Sequence, residues 1–378
     1  MTRLHQLRGA GQSIWLDYID RAILQNGELE RRIRDDALTG MTSNPTIFEK
    51  ALAEGTAYDE QLAAASPDLT GWQLFELIET EDVRSACDIF RPTYDRTNGG
   101  DGYVSIEVSP GAAHDAEATI AEAHRLWETV GRPNVMVKVP GTAQGAIAVR
   151  RLIADGLNIN ITLLFSIDAY RSVIEAYMSG LEDRLNEGKP IDRAASVASF
   201  FVSRVDTAVD QLIAATDASS DEHNDLAKLQ GRAAIANAQL AYGLFLQTTS
   251  RQRWLELAER GARVQRPLWA STSTKNPEYR DVMYVEQLIG PDTVNTMPPA
   301  TLDAFRDHGI VARTVDADFE SARAVIAALQ KNGISMEQVT QKLLVEGIAS
   351  FEKSFHGLVA KLSEKATTNT SSQLTGHR

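Results

Sequence analysis

The sequence predicts an α/β fold, a single (β/α)8 TIM barrel with helical insertions and extra C-terminal helices. Short β-rich apolar runs recur along the chain, and each is followed by a stretch of helical spacing. Eight such units stand in order, as a barrel of this kind requires. Several runs are apolar almost throughout, which is typical of parallel strands buried on both faces. The helical stretches supply the crossovers that parallel neighbours need.

The strands are predicted from runs rich in β-branched and aromatic residues. They cover residues 13–19, 38–44, 103–109, 134–140, 159–165, 196–205, 266–272 and 293–298. A doubly wound sheet is the alternative architecture, because it also alternates strands and helices. Such a sheet usually has fewer strands, and often a glycine-rich turn after the first one. Here the first strand ends in Asp17-Tyr18-Ile19-Asp20, without that turn.

The connecting helices are marked by apolar spacing and by glycine stops. From Ala116 onward, apolar residues recur at helical spacing until Gly131 ends the pattern. The same spacing runs through Ala146 and stops at Gly156, a residue that commonly caps helix C-termini. Each of these helices lies between two predicted strands, as a crossover should.

The chain is predicted to form one catalytic domain, residues 1–365. Two connections, 46–102 and 206–265, are longer than one crossover helix and are interpreted as helical insertions on that domain. Residues 317–364 predict further C-terminal helices. Residues 366–378 are polar and without period, which predicts a disordered tail.

The composition limits the function. With 38 basic and 51 acidic residues the formal charge is −13, which argues against general binding of nucleic acids or anionic membranes. An anionic substrate would need a local basic pocket. The single cysteine, Cys87, excludes an internal disulfide and fits a reducing compartment. The polar start, residues 1–11, lacks the apolar core of a signal peptide, so we expect a cytoplasmic protein. The scattered histidines predict no metal site.

Nearly every predicted strand carries a polar residue inside or just after its apolar run. Active sites of such barrels lie at the C-terminal ends of the strands. Buried polar side chains are costly unless they are paired, so a ring of them predicts one shared polar cavity. The ring consists of Asp17, Asn44, Glu107, Lys138, Asn160, Thr162, Ser199, Arg204, Ser271, Lys275 and Asn295.

Lys138 stands in the apolar run VMVKV and is the clearest candidate nucleophile. A free lysine has a pKa of about 10.4, and desolvation inside a barrel would favour the neutral amine. A drop of about three units corresponds to roughly 4 kcal/mol. A neutral amine can attack a ketone to form an iminium that serves as an electron sink. The alternative is a lysine that reaches solvent or forms an ion pair.

Asp17 and Glu107 are the acid–base candidates, because a carboxylate near an amine can take a hydroxyl proton and return it. The alternative for Asp17 is a turn or cap residue at the strand end. The alternative for Glu107 is a buried partner for a cation.

Ser199, Arg204, Ser271 and Lys275 are candidates for an anion pocket. Arginine offers a planar fork to phosphate oxygens, and serine adds hydroxyl donors. Barrels often hold phosphate near their late strands. The alternative is a solvated arginine and an ordinary serine-threonine loop.

Asn44, Asn160 and Thr162 could donate to substrate hydroxyls or hold a water molecule. The alternative is turn chemistry, especially for Asn44, which precedes a proline.

These residues lie in motifs that resemble those of the transaldolases, class I Schiff-base enzymes on a (β/α)8 barrel. GMTSNPTIF at 40–48 is similar to the family's motif after the second strand, and VMVKVPG at 135–141 to the signature around its lysine. GLNINITLLF at 156–165 and the spacing from Ser199 to Arg204 also match. The resemblance runs in order from about residue 13 to 310.

The resemblance implies a role for each candidate. Lys138 would form a Schiff base with the C2 ketone of the donor, and Asp17 would take the C4 hydroxyl proton during C3–C4 cleavage. Glu107 and Thr162 would hold a water molecule, and Asn44 and Asn160 would bind the dihydroxyacetone unit. Ser199 and Arg204 would bind the phosphate. The resemblance also places Phe201, Ser271 and Lys275 in the substrate site. The family usually has an arginine after the seventh strand, where this chain has Lys275.

The implied reaction belongs to the non-oxidative pentose phosphate pathway. A three-carbon keto unit moves from sedoheptulose 7-phosphate to glyceraldehyde 3-phosphate, giving erythrose 4-phosphate and fructose 6-phosphate, with no cofactor. Partners would be phosphorylated sugars, with no nucleic acid and no membrane, and the protein a monomer or homodimer. One alternative is a fructose 6-phosphate aldolase, but those shorter chains tend to have Gln at the position of Glu107 and Tyr at that of Phe201. The other is a phosphosugar-binding barrel without chemistry.

Overall fold

The computed structural model describes residues 2–53, 56–66, 68–216 and 225–375, with side chains described up to residue 364. Its centre is a closed barrel of eight parallel strands, each paired with its sequence neighbours and the last with the first. The strands are β1 Gln12–Asp17, β2 Gly40–Thr42, β3 Val104–Glu107, β4 Val135–Pro140, β5 Ile159–Leu164, β6 Ser196–Phe201, β7 Arg266–Ala270 and β8 Thr293–Met297. The predicted barrel is confirmed, and the doubly wound sheet is not what forms.

Helices surround the barrel, and most of the described residues of both long connections are helical. In the described part of the chain they are α1 Arg3–Gly9, α2 Arg21–Gln25, α3 Glu28–Asp35, α4 Pro45–Ala53, α5 Asp59–Ala64, α6 Gly71–Arg96, α7 Ala116–Val130, α8 Ala143–Asp155, α9 Ile167–Asn186, α10 Ser203–Ala214, α11 Ala233–Thr249, α12 Gln252–Glu259, α13 Met283–Glu286, α14 Pro299–His308, α15 Phe319–Lys331 and α16 Met336–Thr375. A short 3-10 turn, Pro110–Ala112, follows β3.

The crossover helices α7 and α8 have the ends that their sequences predict. Asp115 and Thr142 cap them by accepting hydrogen bonds from backbone N–H groups of the first turn. Gly131 and Gly156 end them with φ of 61° and 96°, a backbone conformation that favours glycine. These short, well-capped connections bring successive strands into register.

The register of the strands sets the polar layer inside the barrel. Glu107 is paired with Lys138, and Lys138 with Asn160, across β3, β4 and β5. Paired residues on parallel neighbours point to the same face of the sheet. A row of three polar side chains therefore runs across three neighbouring strands inside the barrel.

The C-terminal helix α16 folds back over this end of the barrel. Phe355 packs against Trp72 of α6, with ring centroids 4.9 Å apart. Gly347 lies where an added Cβ would stand 3.0 Å from Leu163 and 3.7 Å from Arg204, so the helix approaches the barrel closely there. The helix continues to Thr375, into the stretch for which the sequence predicts a disordered tail, because a packed helix extends at little cost. Residues 376–378 lie outside the described residues.

Candidate active site

Lys138 is buried in the middle of the barrel, with 6% of its surface exposed. Its Nζ donates to the backbone oxygen of Ser43 at 2.9 Å and to Oε2 of Glu107 at 3.2 Å. The ion pair that the sequence left open as an alternative is thus present, and it lies inside the barrel rather than at its surface. Lys138 also lines the cavity that is described below.

Glu107 is equally buried and stands beside the amine. Burial raises the pKa of its carboxyl above the ordinary value, the Lys138 ammonium partly offsets this, and the charge of Asp17 adds to the rise. A carboxyl shifted in this direction exchanges protons more readily near neutral pH. The pair can therefore pass a proton between an oxygen and a nitrogen away from bulk water.

Asp17 ends β1 and lines the same cavity as Lys138. Its Oδ1 accepts a hydrogen bond from the Thr42 hydroxyl at 2.8 Å, which fixes the carboxylate at the C-terminal mouth of the barrel. It is half-buried and lines the cavity, so it can contact a bound molecule.

Asn160 and Thr162 extend the polar layer along β5. Ser199 donates to Oδ1 of Asn160 at 2.6 Å, and Nδ2 of Asn160 donates to the Ser105 hydroxyl at 3.0 Å, so the amide is held on both sides. The hydroxyl of Thr162 is buried without a partner among the described residues, and Thr162 lines the cavity. An unpaired hydroxyl in that position can bind a substrate or a water molecule.

The late strands form a second, basic end of the cavity. Phe201, Arg204, Ser271 and Lys275 all line it. The Arg204 guanidinium lies 5.3 Å from the centre of the Phe201 ring, and burial lowers the pKa of Arg204 while the charge of Asp17 opposes this shift. Lys275 Nζ donates to the Ser273 hydroxyl at 2.9 Å. The hydroxyls of Ser271 and Ser203 share a hydrogen bond at 3.0 Å. The backbone of Ser271 has a left-handed φ of 57°.

The position of Arg204 corrects one sequence prediction. The sequence predicts a single strand over 196–205, whereas β6 ends at Phe201 and Arg204 lies in the first turn of α10. Val205 and Val209 are buried on one face of α10. In a short run of sequence, such apolar residues fit a continued strand as well as a helix, which explains the wrong prediction. The turn swings Arg204 toward the cavity.

One cavity of about 660 Å³ joins these residues. Of the predicted ring it is lined by Asp17, Asn44, Lys138, Thr162, Ser199, Arg204, Ser271 and Lys275, together with Phe201. Glu107 and Asn160 reach it through their bonds to Lys138 and Ser199. Asn44 also accepts from the backbone N–H of Ile47 at 3.0 Å, so the predicted turn chemistry is present as well. Asn295 lies elsewhere, where its oxygen accepts from Thr272.

Several lining residues escaped the sequence analysis. Tyr18 follows Asp17 directly, and Lys50 lies on α4, six positions after Asn44. Phe351 comes from α16, far along the chain. Only Tyr18 has a local signal, because it lies inside the predicted first strand, 13–19, next to Asp17. The other two are brought in by helices whose position depends on the closed barrel.

Metal-binding clusters and membrane-spanning helices are both absent from the described ranges. No group of three or more His, Cys, Asp or Glu side chains there is placed to hold a metal ion. No helix there is long and apolar enough to cross a membrane.

A parallel (β/α)8 barrel with a buried lysine beside a glutamate, in one cavity with an aspartate, is the arrangement typical of class I, Schiff-base aldolases. The model of the transaldolase/fructose-6-phosphate aldolase family matches residues 14–362. The chain belongs to this family.

Curated relatives match nearly the whole chain. Transaldolase 2 of Nostoc sp. strain PCC 7120 is 47% identical, covering 97% of this chain and 98% of its own. Transaldolase 2 of Nostoc punctiforme is 48% identical over 96% and 97% of the two chains. Transaldolase of Thermobifida fusca is 45% identical over 97% and 99%. The similarity therefore includes the helical insertions and α16 as well as the barrel.

Proposed function

We propose that this protein is a transaldolase that works through a Schiff base on Lys138. It moves a dihydroxyacetone unit from sedoheptulose 7-phosphate to glyceraldehyde 3-phosphate, giving erythrose 4-phosphate and fructose 6-phosphate in the non-oxidative pentose phosphate pathway. The observation that carries the proposal is the buried Lys138 amine, 3.2 Å from Glu107, in one cavity with Asp17 and the basic Arg204. The names of the curated relatives support the same reaction.

The first step joins the donor to the enzyme. Lys138, deprotonated, attacks the C2 ketone, and the carbonyl oxygen leaves as water once it has gained protons. Glu107, with its raised pKa, is the group that donates and recovers these protons. The Thr162 hydroxyl, which has no partner among the described residues, holds the water molecule that relays protons between Glu107 and the substrate. The product of this step is an iminium at C2.

The second step breaks the C3–C4 bond. Asp17 takes the proton of the C4 hydroxyl, the aldehyde carbonyl forms at C4, and the bonding electrons move into the iminium to give an enamine. The aldehyde product leaves and the acceptor aldehyde enters. The enamine attacks the acceptor carbonyl, Asp17 returns the proton, and hydrolysis at Lys138 releases the new ketose.

Asn44 and Asn160 hold the hydroxyls of the three-carbon unit in this scheme. Asn160 is suited to this role because Ser199 and Ser105 fix its amide. Ser199 thereby supports the dihydroxyacetone end as well as lining the basic end. A direct contact between Ser199 and the phosphate stays a prediction.

The phosphate end of the site consists of Arg204, Ser271 and Lys275, with Phe201 supporting the guanidinium. We expect Lys275→Glu to raise KM for the phosphorylated donor by about tenfold or more, since it places a negative charge beside the phosphate. The effect on kcat should be smaller. Lys342→Gln on the exposed surface of α16 is the matched control. An unchanged KM in Lys275→Glu would remove this lysine from the pocket.

The function itself is tested by release of glyceraldehyde 3-phosphate from fructose 6-phosphate, with a chelator present. We expect release only when erythrose 4-phosphate is supplied as acceptor. Release without any acceptor would instead support the fructose 6-phosphate aldolase reaction, which the family description also includes. No release under either condition would favour a sugar-binding barrel without chemistry.

We also propose a cytoplasmic location and a monomeric or homodimeric state, with phosphorylated sugars as the substrates. The single cysteine, Cys87, is buried and free, which supports a reducing compartment. Light scattering of the purified protein would measure the oligomeric state.

A further inference from the structure

The cavity is lined by one more basic side chain than the proposed reaction assigns a role to, namely Lys50. Arg204 on α10, Lys275 in the loop after β7 and Lys50 on α4 line it from three separate elements. Asp17 is the single acidic residue in the described lining, and Lys138 is already paired with Glu107. The chain as a whole has a formal charge of −13, so this local excess runs against the overall balance.

The three cations lack acidic partners in the part of the chain that the structure describes. Glu49, the neighbour of Lys50, forms its ion pair with Lys361 of α16 at 3.1 Å. Arg204 contacts the Phe201 ring, and Lys275 donates to a serine. Elsewhere on the surface, lysines and arginines are commonly paired, as Lys342 is with Glu346. The cluster is therefore short of negative charge.

The charges are close enough to act on one another. Partial burial lowers the pKa of Lys275, and the positive charges of Arg204 and Lys50 lower it further, while Asp17 opposes them. A sphere with the volume of the cavity would be about 11 Å across, comparable with the Debye length of about 10 Å at 0.1 M salt. Salt thus screens the cations only partly from each other, and an anion placed among them would relieve their repulsion.

We infer that Lys50 is a specificity-determining residue that supplies the third cation of the phosphate-binding end of this cavity. This inference rests on the proposed function and names one more residue of the same site. A phosphate dianion presents three oxygens: the Arg204 fork takes two in a bidentate contact, and Lys275 and Lys50 act as point charges on either side. Lys50 is exposed at the rim, so it also attracts the anion before it enters.

The position of Lys50 on α4 adds a geometric consequence. The same helix is capped by Asn44, whose Oδ1 accepts from Ile47, and Asn44 is proposed to hold the three-carbon unit. Asn44 thus stands at the start of this nine-residue helix, and Lys50 lies in its last turn. Lys50 therefore helps to select phosphorylated sugars whose phosphate reaches the basic end while the ketone lies at Lys138.

The test compares a phosphorylated donor, fructose 6-phosphate, with unphosphorylated fructose, using erythrose 4-phosphate as acceptor. In Lys50→Gln, we expect the ratio of kcat/KM for the two donors to fall by about three- to tenfold. Lys50→Arg should retain most of the ratio, because the charge is kept. Lys342→Gln should leave the ratio at its original value. Added salt should weaken the preference in the original protein more than in Lys50→Gln.

Two kinetic outcomes would overturn the inference. One is a ratio in Lys50→Gln equal to that of Lys342→Gln, while Arg204→Gln still lowers it. The other is an equal loss in Lys50→Gln and Lys50→Arg, which would indicate shape rather than charge. Binding of inorganic phosphate, measured by calorimetry, separates this inference from the proposed function. Weaker phosphate binding by Lys50→Gln would support the third cation even if no sugar were turned over, and unchanged binding would contradict it.

Discussion

Replacing Lys138 with alanine is expected to lower kcat by at least about 10⁴-fold, because Lys138 is the buried amine of the cavity, whereas Lys50 and Lys275 are exposed and lie at its basic end. The protein should keep its barrel, since the amine makes only two hydrogen bonds and the flanking strand residues pack outward. Reduction with borohydride in the presence of fructose 6-phosphate should add a covalent mass to the original protein. Mass spectrometry should find no such addition in Lys138→Ala.

Two further variants separate chemistry from structure. Lys138→Arg keeps a positive charge beside Glu107 but offers no amine that forms a Schiff base at neutral pH, so it should be equally inactive. Val139→Ala shortens a buried neighbour on the same strand and should lose stability while keeping the borohydride adduct. Appreciable turnover by Lys138→Ala or Lys138→Arg would remove the Schiff base from the mechanism.

Glu107→Gln is expected to lower kcat by about 10²- to 10⁴-fold, because the amide cannot carry protons to and from the departing water. Burial raises the pKa of Glu107, so the acid limb of kcat in the original protein should lie above the ordinary glutamate value of about 4.3. That limb should be absent from the residual activity of the variant. A pH profile of the same shape in both proteins would assign the limb to another group.

The raised pKa of Glu107 also makes the stability of the folded protein depend on pH. A carboxyl whose folded-state pKa exceeds its unfolded value stabilises the fold fully below the unfolded value, and this contribution is lost as the pH rises through the folded one. The free energy of unfolding of the original protein should therefore fall over that window, and Glu107→Gln should lack this component. Asp206, whose pKa burial raises to about 6, is a matched carboxyl outside the cavity. Asp206→Asn should change the pH dependence of the free energy of unfolding. It should leave the acidic limb of the pH profile of kcat unchanged.

Much of the barrel was predictable because its strands are buried on both faces. Each of the eight apolar runs corresponds to an observed strand, and a charged residue inside such a run, as Lys138 is, has few structural explanations. Glu107 was found by the same reasoning. The ends of the strands were less predictable. β6 stops at Phe201, and the sequence does not indicate this end because Val202 and Val205 fit a helix as well as a strand.

The remaining parts of the site depend on how distant segments meet. Lys50 lies on the exposed side of a short helix, where lysine is common and carries no local signal. Phe351 is brought to the cavity by α16, whose apolar pattern indicates a helix but not what it covers. The left-handed φ of 58° at Leu163, beside the free Thr162 hydroxyl, occurs at an irregularity between β5 and β6. Such an irregularity depends on the pairing of both strands, which periodicity within one strand does not reveal.

The packing of α16 has a consequence for how the enzyme is made. The ribosome completes every strand of the barrel by Met297, whereas Gly347 and Phe351, which lie against Arg204 and the cavity, are translated about fifty residues later. A nascent chain therefore acquires its nucleophile and both carboxyls well before it acquires the last wall of the chamber around them. We expect a chain that stops before Gly347 to keep every strand of the barrel but to lack Phe351 in the lining of the cavity.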